Sequence, residues 1–209
     1  ELMLKHKITA HYVAVDLNDF EADQRLFEET EKHGMQVDWL INNAGFGSMG
    51  DFAELSLEKE LEMIGLNVMA LVALTHRYLQ GMRERKSGTI INVSSTASFQ
   101  PIPYMATYAA TKAFVTSFTE AIAEENKQFG ITATALCPGP TETNFFAAAN
   151  AIPFSAKGMQ TAEEVVETGL NGVARGSSHI ISGWTNFIGA YLANIAPSSL
   201  ITKTIGGVM

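Results

Sequence analysis

Along its 209 residues the chain alternates β-rich runs with helical stretches, and this alternation constrains the fold more than any other feature. Parallel strands cannot be joined by a tight turn. The chain must cross over, usually through a helix that covers one face of the sheet. TAHYVAVDL (9–17) is rich in β-branched and aromatic residues and reads as a strand. An amphipathic helix follows, capped by Asn18 or Asp19, running through Phe20, Leu26 and Phe27 to a glycine stop at Gly34. Residues 37–41 and 89–93 read as short buried strands, with a long helix over 57–85 between them. A second long helix spans 104–128 and stops at Gly130, before a strand at 131–137. Thr161-Ala162-Glu163-Glu164 is a capping box that opens a helix to about Arg175, and 179–182 reads as a last short strand. The expectation is a single α/β domain, a doubly wound parallel sheet covered on both faces.

Composition removes several functional classes. A formal net charge of −8, with 14 Lys and Arg dispersed along the chain, argues against nucleic acid or an anionic membrane surface as a partner. The one cysteine, Cys137, excludes an intrachain disulfide and fits a reducing, cytoplasmic location. It ends an apolar run and reads as a small buried hydrophobe. The five histidines show neither HxH nor HxxxH spacing, so no metal site is expected.

Chemistry concentrates in a few positions. Tyr108 and Lys112 stand four residues apart in YAATK, and Ser95, the second serine of INVSS, lies thirteen residues before the tyrosine. Positions i and i+4 of a helix share a face, which sets an ammonium beside a phenol and favours the ionised phenol. Lowering the phenol's ordinary pKa of about 10 by about 3 units takes about 4 kcal/mol of differential stabilisation. By itself the spacing also fits a surface tyrosine on an Ala-rich helix. Three further pieces stand in order. Asn42-Asn43-Ala44-Gly45 ends the run VDWLI, Asn67 interrupts LEMIGLNVMALVALTHRYL, and Pro138-Gly139-Pro140-Thr141-Glu142-Thr143 follows ITATALC.

With these residues in their order and spacing, the chain resembles the short-chain dehydrogenase/reductase family from Asp16 to about Gly183. The resemblance implies a Rossmann-like fold and an NAD(P)-dependent oxidoreductase that interconverts a carbonyl and a secondary alcohol. It assigns Tyr108 as proton donor and acceptor, and Lys112 as the group that tunes Tyr108 and holds the nicotinamide ribose. Ser95 would orient the substrate oxygen, and Asn67 would hold a water that links Lys112 to solvent. Asp16, with Leu17 beside it, would contact the adenine, although Asp16 also fits a helix cap. Asn42, Asn43, Ala44 and Gly45 would bring backbone close to the cofactor. Pro138, Gly139, Thr141 and Thr143 would line the nicotinamide carboxamide. NADP is the expected cofactor, with NAD as the alternative, and a homodimer or homotetramer built by helices 57–85 and 104–128 is the expected assembly. A remnant or oligomeric scaffold that no longer holds a dinucleotide is the competing reading.

One departure stands out. The family opens with a strand, a TGxxxGxG turn and a helix, and residues 1–209 contain no such motif. Judged by the family's usual length, roughly 45 to 55 residues of that first βαβ part are lacking. The strand at 9–17 is therefore expected either to shift against 37–41 or to be poorly ordered. The loop 144–160 corresponds to the family's substrate cover, and its Phe145, Phe146, Ile152 and Phe154 would wall a pocket for a small apolar substrate. An ordinary buried loop is the alternative. At the C-terminal end, Trp184, Phe187, Tyr191, Leu192 and Ile195 recur at helical spacing and suit core or subunit packing, with peripheral membrane contact as the other reading.

Overall fold

The computed structural model describes residues 2–149, 159–195 and 197–207. Helix α1 (Leu2–His6) and an extended stretch lead to α2 (Ala22–Lys32) and strand β1 (Trp39–Asn42). The long helix expected over 57–85 forms in three continuous parts: α3 (Leu57–Ile64), a π-helical turn (Gly65–Ala70) and α4 (Leu71–Arg85). After it come β2 (Gly88–Val93), α5 (Ala106–Asn126), β3 (Ile131–Cys137) and the short α6 (Phe145–Ala148). Helix α7 (Ala162–Ala174), β4 (His179–Ile181), α8 (Trp184–Ile195) and α9 (Ser198–Gly206) complete the order.

The four strands form one parallel sheet in the order β1-β2-β3-β4. Successive side chains of a strand face opposite sides, and β2 shows this directly. Ile90 joins Ile131 and Ala133 beneath Met82 of α4 and Ile122 of α5. Ile91 turns to the other face, where Leu136 packs with Val165 of α7. Both faces are thus covered at β2 and β3, whereas β1, read as a buried strand from its sequence, leaves Trp39 and Ile41 exposed on one face. Helix α7 starts where the sequence indicates: Thr161 accepts from the Glu164 N–H at 3.2 Å and Glu164 accepts from the Thr161 N–H at 2.9 Å.

The N-terminal reading is corrected in two places. Residues 7–16 form no strand and do not pair with β1. A β-rich run needs a neighbour to take its N–H and C=O groups, and among the described residues none lies beside it; Tyr12 and Val13 are exposed. The α2 N-cap is Glu21, not Asn18 or Asp19. The Asp16 carboxylate takes the Asn18 N–H at 3.0 Å, and Asp19 is drawn into an ion pair with Arg25. Among the described residues no helix is long and apolar enough to cross a membrane.

Candidate active site

Parallel strands carry their C-terminal ends to one edge of the sheet, and ligand crevices of such sheets open there. Here that edge gathers Asn42–Gly45 after β1, Ser94 and Ser95 after β2, Pro138 and Gly139 after β3, and Ser182 and Gly183 after β4. A buried amide relay fixes its floor. Asn42 and Asn92 are register partners, and Asn42 Nδ2 donates to Asn92 Oδ1 at 2.8 Å and to Thr75 Oγ1 at 3.0 Å. Asn92 Nδ2 then donates to Thr119 Oγ1 at 2.9 Å. The side chain of Asn42 is therefore engaged in holding β1 to β2 and α4, which leaves the exposed Asn43, Ala44 and Gly45 to meet a ligand.

The π-helical turn explains Asn67. A single such turn re-aims a side chain without ending the helix, and it points the Asn67 amide, almost fully buried, at the loop after β1. Asn67 Oδ1 accepts the Phe46 N–H at 3.1 Å, while Nδ2 donates to the Phe46 carbonyl at 2.9 Å and to Thr111 Oγ1 at 3.1 Å. The loop is held again by Ser48 donating to the buried Glu60 at 2.5 Å and by Gly50 N–H donating to the Tyr104 carbonyl at 2.9 Å. Glycine is needed at 45, because a Cβ there would stand 2.8 Å from Asn67 Oδ1 and 3.7 Å from Lys112 Nζ.

Helix α5 delivers Tyr108 and Lys112 on one buried face. Its register is fixed by Ser94, whose hydroxyl donates to the Lys112 carbonyl at 2.9 Å and meets Thr116 Oγ1 at 2.7 Å. Thr111 adds a bond to the Tyr108 carbonyl at 2.8 Å. Lys112 Nζ lies 5.9 Å from the Tyr108 ring centroid and donates to the Val93 carbonyl at 2.8 Å. Burial lowers its pKa to about 8, and the nearby Cys137 opposes this only in part.

Tyr108 behaves otherwise than its spacing predicts. Burial raises the phenol's pKa, and the Ser95 side chain, its hydrogen-bonding neighbour, pulls the other way without overcoming it. The physical reason is the apolar surround of Met63, Ala97, Ile102 and Met105, with Phe145 packed over the ring at 5.2 Å. The Lys112 ammonium at this distance does not overcome the desolvation. The resulting phenol is protonated at neutral pH and can donate a hydrogen bond or a proton. Ser95 is partly exposed, and its Oγ also accepts the Ala97 N–H at 3.1 Å.

The other predicted residues fall into place unequally. Thr141 donates to the Gly139 carbonyl at 2.9 Å and pairs with Gln160 as a parallel bridge, which closes the two ends of the 144–160 loop on each other. Thr143 is exposed and accepts the Phe145 N–H at 3.3 Å. Phe146 stacks edge-on to Phe145 at 5.5 Å, and Ile152 and Phe154 lie outside the described residues. Asp16 is exposed, and Leu17 partly so, in the turn before α2, where Asn18 fills the space beside Gly65 at the start of the π-helical turn.

Three residues not singled out in the sequence contribute. Asn186 of α8 occupies the notch left by Gly139, donating to the Ser182 carbonyl at 2.7 Å. Among the described residues Gln160 Oε1 is buried with no hydrogen-bond donor, and it faces Gly183. Tyr104 sits in the left-handed region at φ 63°, a conformation rare outside glycine, asparagine and aspartate. None of the three carried a sequence signal; the expected helix 104–128 would have included Tyr104, whereas α5 starts at Ala106. Exposed backbone at 43–45 and a partly open Ser95 fit a dinucleotide laid across the strand ends.

Comparison with known proteins bears on the family and the fold. The family model described as short chain dehydrogenase matches residues 2–154. An uncharacterized oxidoreductase, YvrD, of Bacillus subtilis is 33% identical over 135 residues, 65% of this chain and 51% of its own length. Acetoacetyl-CoA reductase of an Acinetobacter strain is 34% identical over 132 residues, 63% of this chain and 53% of its own. The chain thus spans about half the length of these two relatives. Among solved structures, a candidate NAD(P) dependent gluconate 5-dehydrogenase of Beutenbergia cavernae with bound NADP at low occupancy is 28% identical. It superposes with a TM-score of 0.74, covering 86% of this chain and 77% of its own. With its sheet, its Ser95/Tyr108/Lys112 geometry and a family match over most of its length, this chain belongs to the short chain dehydrogenase family.

Proposed function

We propose that the chain is the catalytic part of an NAD(P)-dependent oxidoreductase that interconverts a carbonyl and a secondary alcohol on an apolar small molecule. The observation that carries this reading is the convergence of Tyr108 and Lys112 on one buried face of α5 with Ser95 beside the phenol. A bound nicotinamide dinucleotide supplies or accepts the hydride. In reduction, Tyr108 gives its proton to the substrate oxygen while the Ser95 hydroxyl orients that oxygen. In oxidation the same phenol must first lose its proton, which its raised pKa makes harder at neutral pH. Phe145 and Phe146 favour an apolar substrate by lining the approach to Tyr108. NADP rather than NAD is the proposed cofactor, supported by the NADP-bound relative from Beutenbergia cavernae. Asn43 to Gly45, Gly139, Thr141 and Thr143 are its proposed contacts, with Asp16 and Leu17 on the adenine side.

Exposed Leu57, Leu61 and Met69 on the long helix, and Phe114 stacked on Phe118 along α5, support a homo-oligomer through these helices. One cysteine, buried, is consistent with a cytoplasmic location. The test pairs calorimetric titration of NADP and NAD with turnover on a panel of apolar ketones. Tight binding of either dinucleotide with turnover supports the reading. Failure to bind either would favour the scaffold reading, which the unpaired residues 7–16 also support.

A further inference from the structure

Helix α9, far along the chain from the YAATK helix, reaches back to the reactive phenol. Tyr108 belongs to a buried apolar cluster with Met63, Ala97, Ile102 and Met105. These residues form the floor, and the partly buried side chains packed on them decide what a ligand meets beside the phenol. Four such side chains are present: Phe46 and Met49 from the loop after β1, Phe145 of α6, and Ile205 of α9. Within α9, Ile201 and Ile205 lie one turn apart on a shared face. Both are partly buried, whereas Leu200, Lys203 and Thr204 are exposed. The end of the helix is seated on the turn before α5. Gly206 lies against Pro103, where a Cβ would stand 3.5 Å from the proline Cγ. The same turn holds the left-handed Tyr104, whose carbonyl takes the Gly50 N–H at 2.9 Å. Ile205 is therefore tied to the backbone that leads into Tyr108.

The four side chains differ in stiffness. Met49 is unbranched and adapts to the shape of its neighbour. Phe46 stands on a loop and Phe145 on a four-residue helix. Ile205 is β-branched and stands on a nine-residue helix, where one χ1 rotamer dominates. A compliant side chain moves aside for a larger ligand, whereas a stiff one is pushed off its rotamer and resists. Charge bears on the ligand as well. None of the four is charged, and Lys203, the only charged residue of α9, lies on its outer side. A ligand whose oxygen meets Tyr108 and Ser95 thus has uncharged surface against its substituents.

We propose that Ile205 is a specificity-determining residue, a rigid wall of the substrate pocket that restricts the chain to neutral ketones, or the matching alcohols, with a small substituent on that side. Bulky aryl ketones are excluded by Ile205 rather than by the loop side chains. The proposal rests on the oxidoreductase reading for the chemistry at Tyr108.

Steady-state reduction of 2-butanone, acetophenone and 2-acetylnaphthalene with NADPH tests it. Ile205→Ala should raise kcat/KM for 2-acetylnaphthalene relative to 2-butanone by about 10-fold or more, and Ile205→Trp should lower that ratio similarly, the discrimination that a methylene group or two supplies in an apolar pocket. Leu200→Ala, on the exposed side of the same helix, should leave the ratio unchanged. Calorimetry should give every variant the NADP Kd of the wild type, and far-ultraviolet circular dichroism the same fold. A ratio that neither Ile205 variant moves overturns the proposal. A second measurement needs no turnover. Ile205→Cys is alkylated by N-ethylmaleimide with and without acetophenone, while Cys137 is buried. Acetophenone should slow alkylation of the introduced thiol severalfold, and an unchanged rate also overturns the proposal. Protection without NADP binding or turnover keeps the wall and removes the oxidoreductase reading. Turnover with an unmoved ratio and no protection does the reverse.

Discussion

Lys112 should make the stability of this protein rise with pH in a way that a single substitution removes. Its side chain is buried against the Val93 carbonyl, and its pKa falls from 10.5 to about 8. Folding therefore favours the neutral amine, and below pH 8 the folded state carries the full cost of the buried ammonium. Between about 8 and 10.5 the unfolded chain still binds a proton that the folded state has released, so stability climbs with pH over that window. With ~1.36 kcal/mol per pKa unit, the full cost is about 3 kcal/mol at pH 7, most of which is regained by pH 10. Lys112→Met removes the titrating group and leaves the Val93 carbonyl short of a donor, a penalty that does not depend on pH. Urea unfolding of both proteins at intervals from pH 6.5 to 10 isolates the effect, because other titrating groups appear in both curves. The stability difference, wild type minus variant, is expected to be flat below pH 7.5 and then to rise. Parallel curves across the whole range would refute the buried, destabilised ammonium.

Tyr108→Phe is expected to lower turnover by about 10²-fold or more, the scale of general acid catalysis, measured on the best ketone found; unchanged turnover removes Tyr108 from the chemistry. With its phenol raised from 10, Tyr108 keeps its proton well past neutral pH, so wild-type carbonyl reduction should hold level until Lys112 loses its charge near 8, while alcohol oxidation should still be climbing at pH 10, as paired pH–rate profiles would reveal. Asn67→Ala strands both Phe46 backbone groups and Thr111; at about 1–3 kcal/mol for each buried group left unpaired, chemical denaturation should detect a loss of at least about 2 kcal/mol. Thr161→Ala breaks the capping box of α7 and should cost about 1 kcal/mol with no change in activity, a contrast that separates scaffold from site.

Local rules made much of this protein legible before any fold was known. Residues 57–85, the YAATK helix and the strands near 89–93 and 131–137 are long or sharply bounded. Their hydrophobic period alone decides their type, and the capping box at Thr161 needs only four residues to specify its own geometry. The i, i+4 placement of Tyr108 and Lys112 is likewise a property of any helix. Three things depended on distant neighbours. The run 9–17 has strand composition, but a strand exists only where another accepts its hydrogen bonds, and among the described residues none does. The direction of the Tyr108 pKa follows from how much apolar surface closes over the ring, which Met63, Ile102 and Phe145 bring from three other parts of the chain. The role of Asn42 was set by Asn92 and Thr75, fifty and thirty-three residues away. Spacing along a helix is local geometry and travels with the sequence, whereas desolvation, strand pairing and buried amide partners exist only once remote segments share the same space.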